Sequence, residues 1–351
     1  SLPTLRRALQ SLTDERWISA LGKNGATGGR PAVLYGLDAS SHLIVGAHIE
    51  SPTVNMVAVG LDGLIVAQRQ HFLTSPLLPN EAVAVLADFV AEMRSTFPAR
   101  RLLGMGLATI GYVDAATGTI LYVARAPGWE NFPMKTQLED QLNLPVFMEN
   151  ETDCLIRAEL FNLNVQRSVD TIYLGMLQGL KVSMLLKGRI YSGGFGNAGL
   201  IGRTRICPGT GSDGAADAEV LEQIASVRGL CLAFDERVNA LPTIDDTLAH
   251  IRDMDDQKKK FYAILDAAAA EEPLCAEIVQ QMIDHLVDAV SDLIYILQPV
   301  VLIVGGALSK APPPISALLE RGVRAQLPAL LSNHLMFRYA SETGRFAPAK
   351  G

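Results

Sequence analysis

The sequence predicts a mixed α/β protein of two lobes, preceded by a short segment of different character. Its length of 351 residues is enough for two lobes with filled cores. Hydrophobic residues make up 49% and charged residues only 19%, which excludes a disordered chain. A run of strand-like segments followed by a helix-like one occurs twice, and this alternation is what an α/β architecture requires.

The first lobe begins after Gly36 with strands expected at Ile44–Ile49, Val54–Val59 and Leu64–Gln68, the last two joined by the Asp62-Gly63 turn. A helix follows at Asn80–Thr96, then a strand at Leu102–Leu107 and a second unit ending in the strand Pro145–Met148. From Glu151 a helix runs to about Leu163. Thr171–Met176 opens the second lobe with a similar meander through Leu186. Ala276–Leu297 keeps helical periodicity and leads into the buried strand Val300–Val304 and the Gly305-Gly306 turn. Two lobes that each open on a β-meander are the arrangement of a sugar kinase or actin-like ATPase, a ribonuclease H-like fold. The expected division is 1–35, 36–152 and 153–351.

Residues 1–35 carry Arg6, Arg7, Arg16, Lys23 and Arg30 against Asp14 and Glu15, a net +3. The whole chain is −7, so the remainder carries −10 and only the first segment suits a polyanion. Apolar runs such as Val300–Val304 are too short to span a bilayer, and no signal-like segment is present. The four cysteines (154, 207, 231 and 275) are far apart and form no C-x-x-C pair. That favours reduced thiols and a cytoplasmic setting over a disulfide framework or zinc knuckle.

Leu5, Leu9 and Leu12 form one stripe of a helix, with Ser1 as its expected N-cap and Pro3 in its first turn. Gly22-Lys23-Asn24-Gly25 reads as a hairpin turn, followed by Thr27-Gly28-Gly29-Arg30-Pro31. Helix and hairpin together read as the second half of a winged helix-turn-helix. Thr4, Arg6 and Arg7 would reach bases or phosphates, and Lys23 and Arg30 phosphates. The alternative is a solvated amphipathic helix packed on a neighbour. Two further helices ahead of Ser1 would complete the module.

The stretch Gly188–Gly202, GRIYSGGFGNAGLIG, follows the strand-like Val182–Leu186. Taken alone, it is also compatible with an ordinary glycine-rich surface loop. Several further segments stand in a specific order: SLPTLRR and TGGRP at the start, then GYVD from Gly111 and GWENFP from Gly128. After these come ENETD from Glu149, AGLIGR from Ala198, LEQIAS from Leu221 and Pro299–Gly306. With this set, the chain resembles the ROK (repressor, open reading frame, kinase) family along essentially its whole length, and its NagC/XylR-like branch of transcriptional regulators in particular.

The resemblance implies a sugar pocket, and the sequence departs from it at informative positions. A family kinase opens with D-x-G-x-T, which holds ATP phosphates; His48, Glu50 and Pro52 stand at those positions. A second phosphate turn, G-T-G-I-G, becomes Met176-Leu177-Gln178-Gly179-Leu180. The general base of the N-D pair becomes Glu151 after Asn150. In A-G-E-I-G-H the Glu is Leu200 and the His is Arg203, while the family's zinc cysteines are reduced to Cys207, so no metal is expected. Gly111, Asn150, Glu151, Arg203 and Glu222 are the ligand residues the resemblance implies. Arg203 suits an acidic or phosphorylated sugar, unless it pairs with Glu151 or Glu222.

The resulting expectation is a regulator of sugar metabolism with operator DNA and a small sugar as partners, no cofactor and no membrane association. It would act as a homodimer or homotetramer whose lobes close on a ligand they do not phosphorylate. The alternatives are a sugar kinase with an atypical phosphate site and a dimerisation scaffold without a ligand. The family's last helix commonly returns to the first lobe, so the extreme C-terminus is expected to do the same.

Overall fold

The computed structural model describes residues 1–351 except 24–31, 51, 75–77, 124–125, 127, 163–168, 178, 207–219 and 342–343, with the backbone alone for Lys23 and Asn162. The chain forms two compact units, Ser1–Ala158 with Gly344–Gly351, and Glu159–Thr343.

The first unit starts with α1 (Leu2–Asp14) and an antiparallel pair, β1 (Ile18–Lys23) and β2 (Val33–Leu37). Ser1 occupies the N-cap position of α1, yet its hydroxyl bonds the Thr4 hydroxyl at 3.0 Å and not a helix amide. Gly22 and Lys23 are part of β1, beside an irregularity between Ala20 and Gly22. The expected tight turn at Gly22–Gly25 is therefore not formed at its first two residues, because the ladder runs on to Lys23 opposite Val33. Trp17 stacks on His42 at 4.3 Å and the Ser41 hydroxyl donates to the Arg16 carbonyl, tying this segment to the body.

The body of the first unit has β3 (His42–Glu50), β4 (Thr53–Val59), β5 (Ile65–Phe72), α2 (Pro79–Thr96), β6 (Arg101–Thr109), the ribbon β7 (Tyr112–Asp114) and β8 (Thr119–Tyr122), α3 (Met134–Leu142), β9 (Val146–Asn150) and α4 (Glu151–Asn162). The main sheet has the order β5-β4-β3-β6-β9. The meander β3–β4–β5 is antiparallel, and β6 and β9 add in parallel beside β3. Alternation along β3 sends Val45, Ala47 and Ile49 into a core with Leu86, Phe89 and Trp129. Helix α2 contributes Ala82, Leu86, Phe89 and Met93 from one stripe. Burying each large side chain there stabilises the unit by about 1.5–3 kcal/mol relative to exposure. Pro79 opens α2, and Pro98 follows its C-cap, Phe97, where the backbone leaves the helical region.

The second unit repeats this plan. Its strands are β10 (Thr171–Met176), β11 (Leu180–Leu186), β12 (Arg189–Ile190), β13 (Val301–Gly306) and β14 (Met336–Tyr339), in the order β12-β11-β10-β13-β14. Again an antiparallel meander is followed by parallel strands beside its first member. The helices are α5 (Leu221–Ile224), α6 (Val227–Asn239), α7 (Asp246–Arg252), α8 (Gln257–Ala269), α9 (Pro273–Leu297), α10 (Pro313–Gln326) and α11 (Ala329–His334). Glu272 caps α9 by accepting from the amides of Leu274 and Cys275, and Gln298 ends it in the left-handed conformation. Between these ends Ile278, Met282, Leu286 and Val290 face a core that also holds Phe234 and Phe261. Among the described residues no helix is long and apolar enough to cross a membrane.

The last helix, α12 (Ala347–Lys350), belongs to the first unit. It lies against the face of the sheet opposite the core, so close to β3 that a Cβ on Gly46 would sit 1.7 Å from the Ala349 carbonyl oxygen. Only glycine fits there.

Candidate ligand-binding site

Parallel pairing aligns the carboxyl ends of β3, β6 and β9, with Ile49 opposite Thr109 and Thr109 opposite Asn150. In open α/β sheets ligands bind outside these ends. Four residues meet there: His48, Gly111, Asn150 and Glu151. Gly111 has φ +84°, and a Cβ on it would come within 2.4 Å of the Tyr122 carbonyl oxygen. Asn150 is buried; its Nδ2 donates to the Gly111 carbonyl at 3.2 Å and its Oδ1 accepts the Thr152 amide at 3.0 Å. The side chain thus caps α4 and pins the glycine loop together.

Glu151 opens α4, where the helix dipole favours a carboxylate. Its Oε2 lies 2.9 Å from His48 Nε2, with side-chain exposures of 13% and 3%. The residue at the family's general-base position is therefore hydrogen-bonded to the residue at its phosphate-loop aspartate position. Beyond His48, only Ser51 and Pro52 separate the paired Glu50 and Thr53. Proline has no N–H to offer an anion.

A pocket of about 380 Å³ lies on the outer face of the same sheet, with Gly106, Ala108 and Phe147 on the strands, Arg157 on α4 and Ala349 on α12. Arg157 is held there by two 2.6 Å hydrogen bonds to Glu149, and the bond to Glu149 raises the guanidinium's pKa. Cys154 in its wall has its thiol pushed up by burial, so it stays protonated and inert.

In the second unit Glu222 is committed to the backbone. Its Oε2 accepts the Leu180 amide at 3.2 Å and lies where a Cβ on Gly179 or Gly202 would come within 2.8 Å. That amide belongs to the segment matching the second phosphate turn, so a carboxylate of the chain itself uses a donor there. Arg203 is exposed on the short 3-10 turn Ile201–Arg203, and among the described residues it makes no ion pair with Glu222. The loop ahead of it is fixed by Gly199, at φ +89°, whose carbonyl accepts the Val182 amide. Cys207 lies outside the described residues.

Thr4, Arg6 and Arg7 are all exposed on α1, a helix with no buried residue. Lys23 is placed by its backbone at the end of β1, and Arg30 lies outside the described residues.

The structure brings Gly111, Asn150 and Glu151 together in one unit and places Arg203 and Glu222 in the other. Sequence reasoning noticed His48 as a lost aspartate but missed it as the partner of Glu151. The signal was present: a histidine and a glutamate had replaced two carboxylates that need not meet.

The profile of the ROK family matches residues 46–351. The chain belongs to the ROK family. A xylose repressor of Caldicellulosiruptor bescii is 21% identical over 308 residues, 87% of this chain and 76% of that protein. A glucokinase of Halalkalibacterium halodurans is 24% identical over 241 residues, 68% of this chain and 72% of the enzyme. Among solved structures, a ROK family transcriptional regulator, a homologue of the E. coli MLC protein, superimposes with a TM-score of 0.82 at 20% identity, covering 100% of this chain and 87% of that one. A ROK glucokinase from Streptomyces griseus, solved with glucose and AMPPNP, gives 0.69 at 22% identity over 88% of this chain and 97% of its own. The fold is thus the two-lobed, actin-like one of ROK regulators and kinases. The ROK profile begins at residue 46, leaving α1 and the β1–β2 hairpin ahead of it.

Proposed function

We propose that this ROK protein is a cytoplasmic transcriptional regulator of sugar metabolism that binds a sugar or sugar derivative without phosphorylating it. The observation that carries the reading is the part-buried His48–Glu151 hydrogen bond. A general base takes a proton from the substrate hydroxyl, and here one of the two oxygens of the carboxylate at that position is already occupied by the residue standing where phosphate contacts would start. The Glu222–Leu180 bond and Pro52 support the same conclusion from the phosphate side.

In this reading Gly111, Asn150 and Glu151 of the first unit receive hydroxyls of the ligand. Exposed Arg203 suits a carboxylate or phosphate on an acidic sugar. Residues 1–35 read operator DNA through Thr4, Arg6, Arg7, Lys23 and Arg30, as the second half of a winged helix-turn-helix in a homodimer or homotetramer. The ligand changes operator affinity by binding two states of the protein unequally. Support for regulation comes from the MLC-homologue structure, which matches the whole chain where the glucokinase matches 88%.

The test is a thermal-shift panel of neutral sugars, amino sugars, sugar acids and phosphosugars, each with and without Mg-ATP, followed by a phosphoryl-transfer assay on any sugar that binds. A native-state ligand raises Tm by mass action. The expected result is a shift from one sugar class, indifferent to Mg-ATP, with no phosphorylated product. Turnover of ATP with a bound sugar would instead make the protein a kinase with an unusual phosphate site.

A further inference from the structure

Across the outer face of the first unit's sheet, register sets Val57, Gly46, Gly106 and Phe147 in one row, on β4, β3, β6 and β9. Two glycines side by side inside strands call for a reason. Glycine weakens a strand, and it marks a bulge or the close approach of another backbone or of a ligand. For Gly46 the reason is α12, whose Ala349 carbonyl leaves no room for a Cβ. Gly106 has no such neighbour: a Cβ there would meet nothing within 4 Å. Nor does it sit in a bulge, since pairing is regular from Met105 to Thr109 on both sides. Met105 and Leu107 turn to the core, so the room at Gly106 lies on the outer face, in the pocket of about 380 Å³. That volume is in the range of sites for small organic molecules.

The row makes this pocket a slot. Its floor is the backbone of β6, with α12 standing over β3 on one side and Phe147 of β9, 70% exposed, on the other. Strands about 4.8 Å apart leave a gap that a flat ring fits. The charged side chains of the lining are Lys135, Glu149 and Arg157. Glu149 spends both oxygens on Arg157 at 2.6 Å. The other N–H groups of that guanidinium are given to no described residue, and Lys135 has only Glu139, at 3.9 Å. What stays unspent is cationic donors, which call for an anion, and the planar guanidinium fork suits a carboxylate. A carboxylate joined to a ring lies in the plane of that ring and enters the slot with it. We propose that this slot binds a planar aromatic carboxylate, its ring over Gly106 beside Phe147 and its carboxylate on Arg157. A sugar does not suit the slot, because its hydroxyls would face Ala108 and Phe147 without partners. The site therefore serves a second ligand, and it stands whether or not Glu151 receives a sugar.

The test is titration of the whole protein with naphthoate, followed by ligand-observed NMR, beside the neutral naphthamide and the cationic naphthylmethylamine. Naphthoate is expected to bind at one site, naphthamide about tenfold more weakly for want of the charge-assisted bond, and the amine not at all. Excess glucose should displace none of it. Gly106→Val fills the slot with no atom in the way of its Cβ, and should abolish binding at an unchanged Tm. Phe147→Ala, at an exposed position, should weaken naphthoate and naphthamide alike, and it decides the matter if the valine variant does not fold. Arg157→Gln should bring naphthoate down to the affinity of naphthamide and leave naphthamide unchanged. The proposal is overturned if naphthoate does not bind, or if binding survives both Gly106→Val and Phe147→Ala intact. Naphthamide binding as tightly as naphthoate, or naphthoate indifferent to Arg157→Gln, overturns it as well.

Discussion

Replacing Glu151 by alanine tests whether the His48–Glu151 contact holds the first unit together as well as occupying its site. In Glu151→Ala the Nε2 of His48, a side chain only 3% exposed in the wild type, loses its 2.9 Å partner. A hydrogen bond to a charged group contributes about 1.5–3 kcal/mol, and leaving a buried polar atom unpaired costs about 1–3 kcal/mol. These describe one event and are not summed, so about 2 kcal/mol is the expected loss. For a unit of this size that lowers Tm by about 4–8 °C. Glu151→Gln keeps an acceptor for His48 and loses the charge, both in that bond and at the start of α4, a smaller loss of about 1 kcal/mol. Scanning calorimetry of the three proteins side by side reads both effects. The reasoning is refuted by a Glu151→Ala protein as stable as wild type, or by a Glu151→Gln protein that falls as far as Glu151→Ala.

Gly111→Ala places a Cβ against the Tyr122 carbonyl oxygen and forces alanine to φ +84°. It should cost about 1–3 kcal/mol in strain and weaken any ligand held by Asn150, which a binding titration on the folded variant would show. In the second unit, burial pushes the Tyr339 hydroxyl up to about 12. The unfolded chain loses this proton near pH 10, so Tyr339 contributes stability that is whole below pH 10 and lost as pH rises to about 12. Urea midpoints between pH 9 and 12 should fall less steeply in Tyr339→Phe; equal slopes in the two proteins would remove the assignment.

Much of the fold is legible in the chain because its signals are local. Alternation at period two marks Ile44–Ile49 and Val54–Val59, and the stripe from Ala276 to Leu297 marks a long helix; the structure extends these elements by a few residues without moving them. Sequence reasoning did not anticipate the β7–β8 ribbon, whose strands are three and four residues long, or β14, which has four. Such segments are too short to show a period. Ser1 lies at its predicted cap position but spends its hydroxyl on Thr4, a choice between two nearby partners that composition does not reveal.

The candidate site divides in the same way. By itself the sequence determined the α/β class, the ROK resemblance and the loss of the D-x-G-x-T residues, because each is a matter of which side chain stands at which position along a short stretch. Only the tertiary structure decided that His48 meets Glu151 across 103 positions, that Glu222 turns to the Leu180 amide across 42, and that Arg345 reaches Gln70 across 275. The physical reason is strand order. A parallel sheet sets the carboxyl ends of β3, β6 and β9 side by side whatever their separation in the chain. Once they are adjacent, desolvation obliges buried polar groups to find partners, and which partners they find depends on distances that no single stretch of sequence contains.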